Sequence, residues 1–565
     1  EGTAGDKVHP RRLQYAVTMT EFGEFISALG AFGLYQKLLV VLISISLFLS
    51  PFQTIGQVFM VLDEPHHCNT SWICAIAPNL TEEEQLNLTL PRDADGGYEQ
   101  CSMYSPVDWD LDSIVAYGLN TTEKCSNGWV YPSAQAPSLL TEFDLVCDRK
   151  DLNDISQSIY MLGMFLGSII FGPLSDRIGR RPVFLICLLI HGLIGVGIAF
   201  VPHFYVYMAF RCVVGAGEPE LLFFSVTEWV GVSYRSKAVL ITHCCFAIGQ
   251  MILAGLAYGI RNWRLLQIAG TAPVFALFFY IWVLPESARW LVIKGRIEEA
   301  KKLLQKAAAI NKRTLPPELL EQVPAGAVFV APGSTLDLFR KKHLRKVTLI
   351  MTCTWFADSL VYYGLSLNVS GFGLNVYLTQ LAFGGVELPA RISCIFLLQW
   401  FGRKKTQAAV LLLSGLMCLV ITGIPEGEQL LHNPRAQLDR APASSVLVQI
   451  HLPSPAASFS TSYVYSAELF PTVVRQTGLG LCSMLARLAG IMAPLLLLLE
   501  QYHRAIPMAV FGSVTVVVGL LCFLLPETRG TDLADDTKLG DIKGATPRRR
   551  WVLGARTKNS PEVHI

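Results

Sequence analysis

The feature that most constrains this chain is a series of apolar stretches long enough to cross a bilayer as helix. Leu38 to Val61, Ile155 to Phe171, Val183 to Val201, Trp263 to Leu284, Leu411 to Ile424 and Met508 to Leu525 approach or reach the required length, roughly 20 apolar residues. On that criterion the sequence predicts about twelve spans. Of its 565 residues, 52% are hydrophobic and only 16% charged, and mean hydropathy is +0.42. A soluble protein of this length cannot bury that much apolar surface, so most of it must face lipid. The expected fold class is an all-α polytopic membrane protein.

The charged opening, Lys7 to Arg12, argues against a cleaved signal directly ahead of the first span, which is expected to insert uncleaved. Between the first two spans lies an acidic segment, 62–154, with glycosylation sequons at Asn69, Asn79, Asn87 and Asn120. It also holds Cys68, Cys74, Cys101, Cys125 and Cys147. Cysteines clustered among glycan acceptors predict an oxidising, extracellular loop. Five cysteines leave one thiol over; Cys68, Cys101, Cys125 and Cys147 are expected to form the disulfides, with the pairing open.

Lys and Arg concentrate in alternate loops: Arg177 to Arg181, Arg235 to Lys237, Lys294 to Lys346, Arg403 to Lys405, Arg475 and the tail Arg548 to Arg550. The positive-inside tendency then places both termini in the cytoplasm. The expected organisation is an N-terminal cytoplasmic segment (1–36), a six-helix half (37–288), a cytoplasmic loop (289–343), a second six-helix half (344–527) and a tail (528–565). The loop reads as an amphipathic helix over Ile297 to Ala309 and then a Pro-rich stretch, a seam between halves. A formal net charge of +2 suggests no nucleic-acid partner. The tail Glu562-Val-His-Ile565 could add as a strand to a scaffold domain.

After the second span stands Gly172-Pro-Leu-Ser-Asp176-Arg177-Ile-Gly179-Arg180-Arg181. A carboxylate and guanidinium groups at helix ends can pair across a seam in one state and part in another, so the motif suits a latch. It resembles the signature of the major facilitator superfamily. Phe401-Gly-Arg-Lys-Lys405 is a degenerate second copy lacking the carboxylate. Further motifs run along nearly the whole chain: Asp63-Glu-Pro-His-His-Cys68, Glu142-Phe-Asp-Leu-Val-Cys147, Thr227-Glu-Trp229, Asn262-Trp-Arg264, Pro285-Glu-Ser-Ala-Arg-Trp-Leu291, Tyr362-Tyr-Gly364, Glu468-Leu-Phe-Pro-Thr472 and Pro526-Glu-Thr-Arg-Gly530. Together these resemble the solute carrier 22 family of organic ion transporters, in the branch that carries organic anions such as urate and nicotinate.

Ionisable residues at bilayer depth are costly and mark function by default. Arg487 lies nine residues past Gly478 in the eleventh span, roughly 13 Å deep at 1.5 Å per residue. Anion carriers of the family have arginine at the matching position, so the resemblance implies an anionic substrate, held bidentately; the competing role is neutralising Asp358. Arg391 matches a second cationic position, although Glu387 one turn earlier could neutralise it. Asp358 could balance either arginine or accept a proton. Tyr362, Tyr363, Phe459 and Tyr463 fall where the family has an aromatic pocket, suited to flat heterocycles. Gln250 is a lesser candidate that could simply bond a neighbouring helix. Glu228, Arg211, Glu286 and Arg289 are expected as latch partners of Asp176 and Arg177 or as helix-end anchors, and Arg211, at the outer end of the fourth span, could equally snorkel to the headgroups.

Two stretches depart from the family pattern. Glu218-Pro-Glu220 puts two carboxylates and a helix breaker inside the fourth span. Segment 427–458 carries Arg435, Arg440, His451, Pro453 and Pro455, leaving only Ser444 to Tyr465 to cross as the tenth span.

The expected activity is alternating-access transport of small organic anions at a plasma membrane. The resemblance implies exchange against an internal organic anion rather than ATP use, and no phosphate-binding Gly-rich loop is present. Alternatives are a carrier of organic cations, zwitterions or a vitamin such as riboflavin, and a non-transporting surface receptor. No enzyme, cofactor or metal site is expected: the spans hold no metal-ligand pair, nucleophile elbow or Cys/His cluster.

Overall fold

Hydrocarbon offers backbone groups no partner, so each apolar run must satisfy its own N–H and C=O groups by winding into a helix. In the computed structural model, described residues are 25–529 except 27, 31, 63, 94–95, 133–135, 219–228, 317–334, 368–374, 423–452, 472–473 and 504. Among them nine helical segments are long and apolar enough to cross a membrane. These are Leu34–Met60, Cys147–Ser175, Arg180–Phe200, Lys237–Gly259, Trp263–Val283, Val376–Trp400, Arg403–Thr422, Thr477–Gln501 and Ala505–Cys522. Phe204–Ala216 stands fourth in order, Lys342–Leu367 seventh and Pro453–Leu469 tenth. Among the described residues this makes six such helices before the short helix Ile297–Ile310 and six after it. The seventh helix reads as less apolar because it is interior: Thr348, Thr354, Asp358 and Ser359 are all buried along it. Bulky apolar side chains instead point outward, as Trp282 (79% exposed) does, toward lipid.

Within the first half the second helix packs on the fourth and the fifth on the first; within the other half the ninth packs on the twelfth and the seventh on the eleventh. Among the described residues the seam between halves is built chiefly by two pairs, second on eleventh and fifth on eighth, with a smaller contact of the fifth on the tenth. Gly384 lets the fifth and eighth helices close: a Cβ there would stand 2.8 Å from the Ala247 carbonyl oxygen and 2.5 Å from Met251 Cγ. Small residues at such crossings are how membrane helices gain packing contact.

The repeated basic motif has a repeated structural job. Gly179, at φ 115°, turns the chain into the third helix, and the Arg180 N–H donates to Glu286 Oε1 at 2.9 Å. Gly402, at φ 87°, does the same before the ninth helix, where the Arg403 N–H donates to Glu527 Oε1 at 2.8 Å. Each carboxylate follows the last span of its own half and caps the positive end of a helix dipole. A Cβ on either glycine would lie within 2.6 Å of that carboxylate. Arg403 also pairs with Glu468 at 2.9 Å, and the Thr528 hydroxyl donates to the same carboxylate at 2.7 Å.

Segment 62–154 forms two small antiparallel ladders, His67–Cys68 with Trp129–Val130 and Ser102–Tyr104 with Thr122–Lys124. Disulfides join Cys68 to Cys125 and Cys101 to Cys147, leaving Cys74 exposed and unbridged. The segment is anchored to the membrane domain where Trp263 Nε1 donates to Glu142 Oε2 at 2.7 Å and Arg264 pairs with the same carboxylate. Asn79, Asn87 and Asn120 are exposed, whereas Asn69 is half-buried.

Both unusual stretches lie only partly within the described residues. The described part of the fourth helix ends at Ala216, and Glu218 folds inward, accepting from the Tyr160 hydroxyl at 3.2 Å beside His191 Nδ1 at 3.6 Å; Pro219 and Glu220 lie outside the described residues. The described part of the tenth helix begins at Pro453 and runs on to Leu469; residues 444–452 of the expected span lie outside the described residues.

Candidate functional site

At the seam, about midway along the helices, lies a cavity of about 110 Å³. Helical spacing explains what lines it. Trp355, Ser359 and Tyr362 recur at i, i+4 and i+7 on one face of the seventh helix. Phe459 and Tyr463 repeat at i, i+4 on the tenth, and Ser483 and Arg487 do so on the eleventh. The aromatic wall is continuous: Tyr463 lies 4.2 Å from Trp355 and 5.5 Å from Phe459, and Tyr362 meets Tyr363 edge-on at 5.5 Å. The structure thus brings Arg487, Arg391, Tyr362, Tyr363, Phe459 and Tyr463 together. Sequence reasoning passed over Trp355, His243 and the sulfur pair Met161 and Met164, although extending the Tyr362 stripe one and two turns back would have reached Ser359 and then Trp355.

The charged side chains are dealt out unevenly. Buried Arg391 donates to Glu387 Oε2 at 2.8 Å, one turn away on its own helix, and to Ser460 Oγ at 2.7 Å. Arg487 donates to the Met164 carbonyl across the seam at 3.3 Å. Asp358 joins neither arginine in this arrangement: its oxygens accept from Ser458 and Ser462, each at 2.5 Å, and Gln407 Nε2 donates to the same two hydroxyls at 2.9 and 2.8 Å. Buried carboxylates need such donors. Among the described residues lining the cavity are two arginines and a histidine but no carboxylate.

Gln250 lies off the cavity. Its amide donates to Gln380 Oε1 at 2.6 Å, tying the fifth helix to the eighth. Beyond it, at the end that carries segment 62–154, Tyr377 closes the seam. Arg261 donates to the Tyr377 hydroxyl at 2.9 Å and lies over its ring at 4.7 Å, while Phe59 stacks on that ring at 5.6 Å and Tyr258 meets it edge-on at 5.7 Å.

The expected latch residues have separate placements. Gly172 sits within the second helix, Asp176 and Arg177 on its last turn, and Arg177 is exposed. Arg180 donates to Ser175 Oγ at 2.9 Å, Glu286 serves the helix end within its own half, and Arg289 lies in the helix Ala288–Ile293. Glu228 is outside the described residues. Arg211 fits neither of its expected roles, latch partner or snorkelling residue. It is 2% exposed, donates to the Gln53 carbonyl, Gln57 Oε1 and Gln157 Oε1, and stacks on Tyr160 at 4.3 Å. Three glutamines on the neighbouring first and second helices supply acceptors that a headgroup would otherwise have to provide.

Comparison with known proteins agrees with this architecture. The family model described as "Sugar (and other) transporter" matches residues 134–537. Solute carrier family 22 member 13 of Homo sapiens is 50% identical over 530 residues, 92% of this chain and 94% of that protein. Member 14 of Homo sapiens is 39% identical, covering 97% and 93%, and member 6 of Oryctolagus cuniculus is 34% identical, covering 94% and 96%. Among solved structures, the major facilitator proton:xylose symporter XylE aligns with a TM-score of 0.57 over 88% of this chain and 98% of its own, at 17% identity. That likeness speaks for the fold alone.

Proposed function

The chain belongs to solute carrier family 22, whose members are membrane transporters and not enzymes, and on that premise we propose that it carries small organic anions through the cavity at Arg487 by alternating access. The observation that carries this reading is the lining itself: two arginines, a wall of aromatic rings and no carboxylate among the described lining residues. With Arg391 neutralised by Glu387, the Arg487 guanidinium is the group suited to hold a carboxylate or enolate. The aromatic faces sandwich a flat ring and keep water out. The cavity is smaller than the several hundred Å³ of drug-sized pockets, which favours single-ring or fused bicyclic anions such as nicotinate or urate over a tricyclic vitamin.

In this reading the protein lies in the plasma membrane with both termini cytoplasmic and segment 62–154 outside, glycosylated. The Tyr377 cluster is then the closed outer gate, and exchange with an internal counter-anion resets the halves. Asp176, Arg177 and their neighbours form the inner latch that trades partners as the halves rock. The test is uptake of radiolabelled urate and nicotinate into cells expressing the full chain, beside Arg487→Ala, with surface biotinylation of both. Arginine-dependent uptake is the expected result; surface-resident protein without uptake of either anion would overturn the reading.

A further inference from the structure

The cavity is chemically lopsided between the two halves. Arg391, Arg487 and the aromatic wall all come from the second half. The first half contributes mostly apolar contact, Leu47, Met161, Met164 and Phe246, with two polar side chains, Ser50 and His243. A ligand drives alternating access only by touching both halves, because it biases the rocking equilibrium through contacts that differ between states. A flat anion anchored at Arg487 needs a counterpart on the opposite wall.

We propose that His243 is that counterpart, a specificity-determining residue that hydrogen-bonds a second polar atom on the anion, such as a ring nitrogen, across from the carboxylate. This rests on the anion-carrier reading above. The imidazole is placed for it. It sits on the fifth helix one turn before Phe246, half-buried at the cavity wall, its ring 5.2 Å from that of Tyr463 and tilted 57° to it. Tyr463 in turn abuts Trp355 and Phe459, so a ring lying along this wall brings its edge toward the imidazole. A neutral imidazole offers one donor and one acceptor, and Ser50 reaches only as far as one short hydroxyl. The substrate class is therefore an aromatic or heteroaromatic monoanion with a hydrogen-bonding atom on the ring, preferred over the same ring without it.

Nicotinate and benzoate make the comparison, since they share shape and charge and differ at one ring nitrogen. The measurement is initial-rate uptake of each radiolabelled anion into cells expressing the full chain, His243→Ala or His243→Gln, normalised to surface protein by biotinylation. Expected is a wild-type preference for nicotinate of about tenfold, the worth of one net hydrogen bond. His243→Ala should bring the ratio to about one by losing nicotinate while benzoate entry persists, and His243→Gln should restore part of the preference. Benzoate entry reports that the alanine variant is folded. Equal entry of both anions into wild-type cells, or an unchanged ratio in His243→Ala, would overturn the proposal and leave the anion-carrier reading standing. Entry of neither anion into wild-type cells would sink both.

Discussion

Arg487 of the eleventh helix donates to the backbone carbonyl of Met164 on the second helix, 3.3 Å away and across the seam between halves. The side chain proposed to hold the anion thus also bridges helices of the two halves. A carboxylate arriving at the guanidinium competes with a neutral carbonyl acceptor, and charge-assisted bonds are the stronger of the two. On the proposed function, substrate binding and loosening of that bridge would be one event.

Arg487→Lys tests this coupling. An ammonium keeps the charge but loses the planar fork that engages a carboxylate and a carbonyl together. The variant is expected to retain uptake with KM raised about tenfold or more, a loss of one hydrogen bond, and with surface abundance unchanged. Concentration-dependent uptake of labelled nicotinate provides the readout; wild-type KM in this variant would show that charge alone suffices.

The Arg391 and Glu387 pair is buried, 4% and 0% exposed, with its partners 2.8 Å apart. Removing either member alone leaves an uncompensated charge and should destabilise the protein by about 3–5 kcal/mol, whereas removing both should cost much less. Surface biotinylation of Arg391→Leu, Glu387→Leu and the double variant reads this out. Recovered transport in the double variant would mark Arg391 as structural; recovered surface protein without transport would mark it as a substrate contact.

Tyr377 holds three side chains, Arg261, Phe59 and Tyr258, together at one end of the seam, so Tyr377→Ala should open the cavity to that side. In a Cys74→Ser background with Ser359→Cys as a reporter, a membrane-impermeant maleimide applied to intact cells should label the Tyr377→Ala protein several-fold faster than its parent. Equal labelling rates would show that the aromatic cluster does not bar the route.

Glu142 sets a pH dependence outside the membrane. Partial burial alone would raise its carboxyl, but hydrogen bonds from Arg264 and Trp263 and the guanidinium charge outweigh that and hold it below the usual range. A depressed folded value means the link stabilises the protein above the unfolded value, about 4.3, and that this stabilisation fades as pH falls through the lower folded value. Glu142→Gln should therefore lower the Tm of detergent-purified protein at pH 7, with the gap to wild type narrowing below about pH 4. A constant gap across pH would locate the effect in packing rather than charge.

Much of this molecule was legible before any coordinates. Long apolar runs dictate membrane helices because unsatisfied backbone groups are intolerable in lipid, and the order of runs, basic loops and motif copies implied two halves of six. Individual site residues could be named for a similar reason: a charge or an aromatic stripe in an apolar helix is conspicuous. Several motifs were visible without their pairing. Glu142 lies 121 and 122 residues from Trp263 and Arg264, and Glu286 lies 106 from Arg180, distances over which local pattern carries no information.

The sequence by itself determined helix number, the membrane as solvent, and which residues are too polar to be there without a reason. Only the tertiary structure decided how those polar groups are shared out. Asp358 went to serines, Arg391 to Glu387, Gln250 to Gln380 and Arg211 to three glutamines. Partner choice inside a low-dielectric bundle follows from which helix faces meet, and that is set by packing among all twelve helices at once.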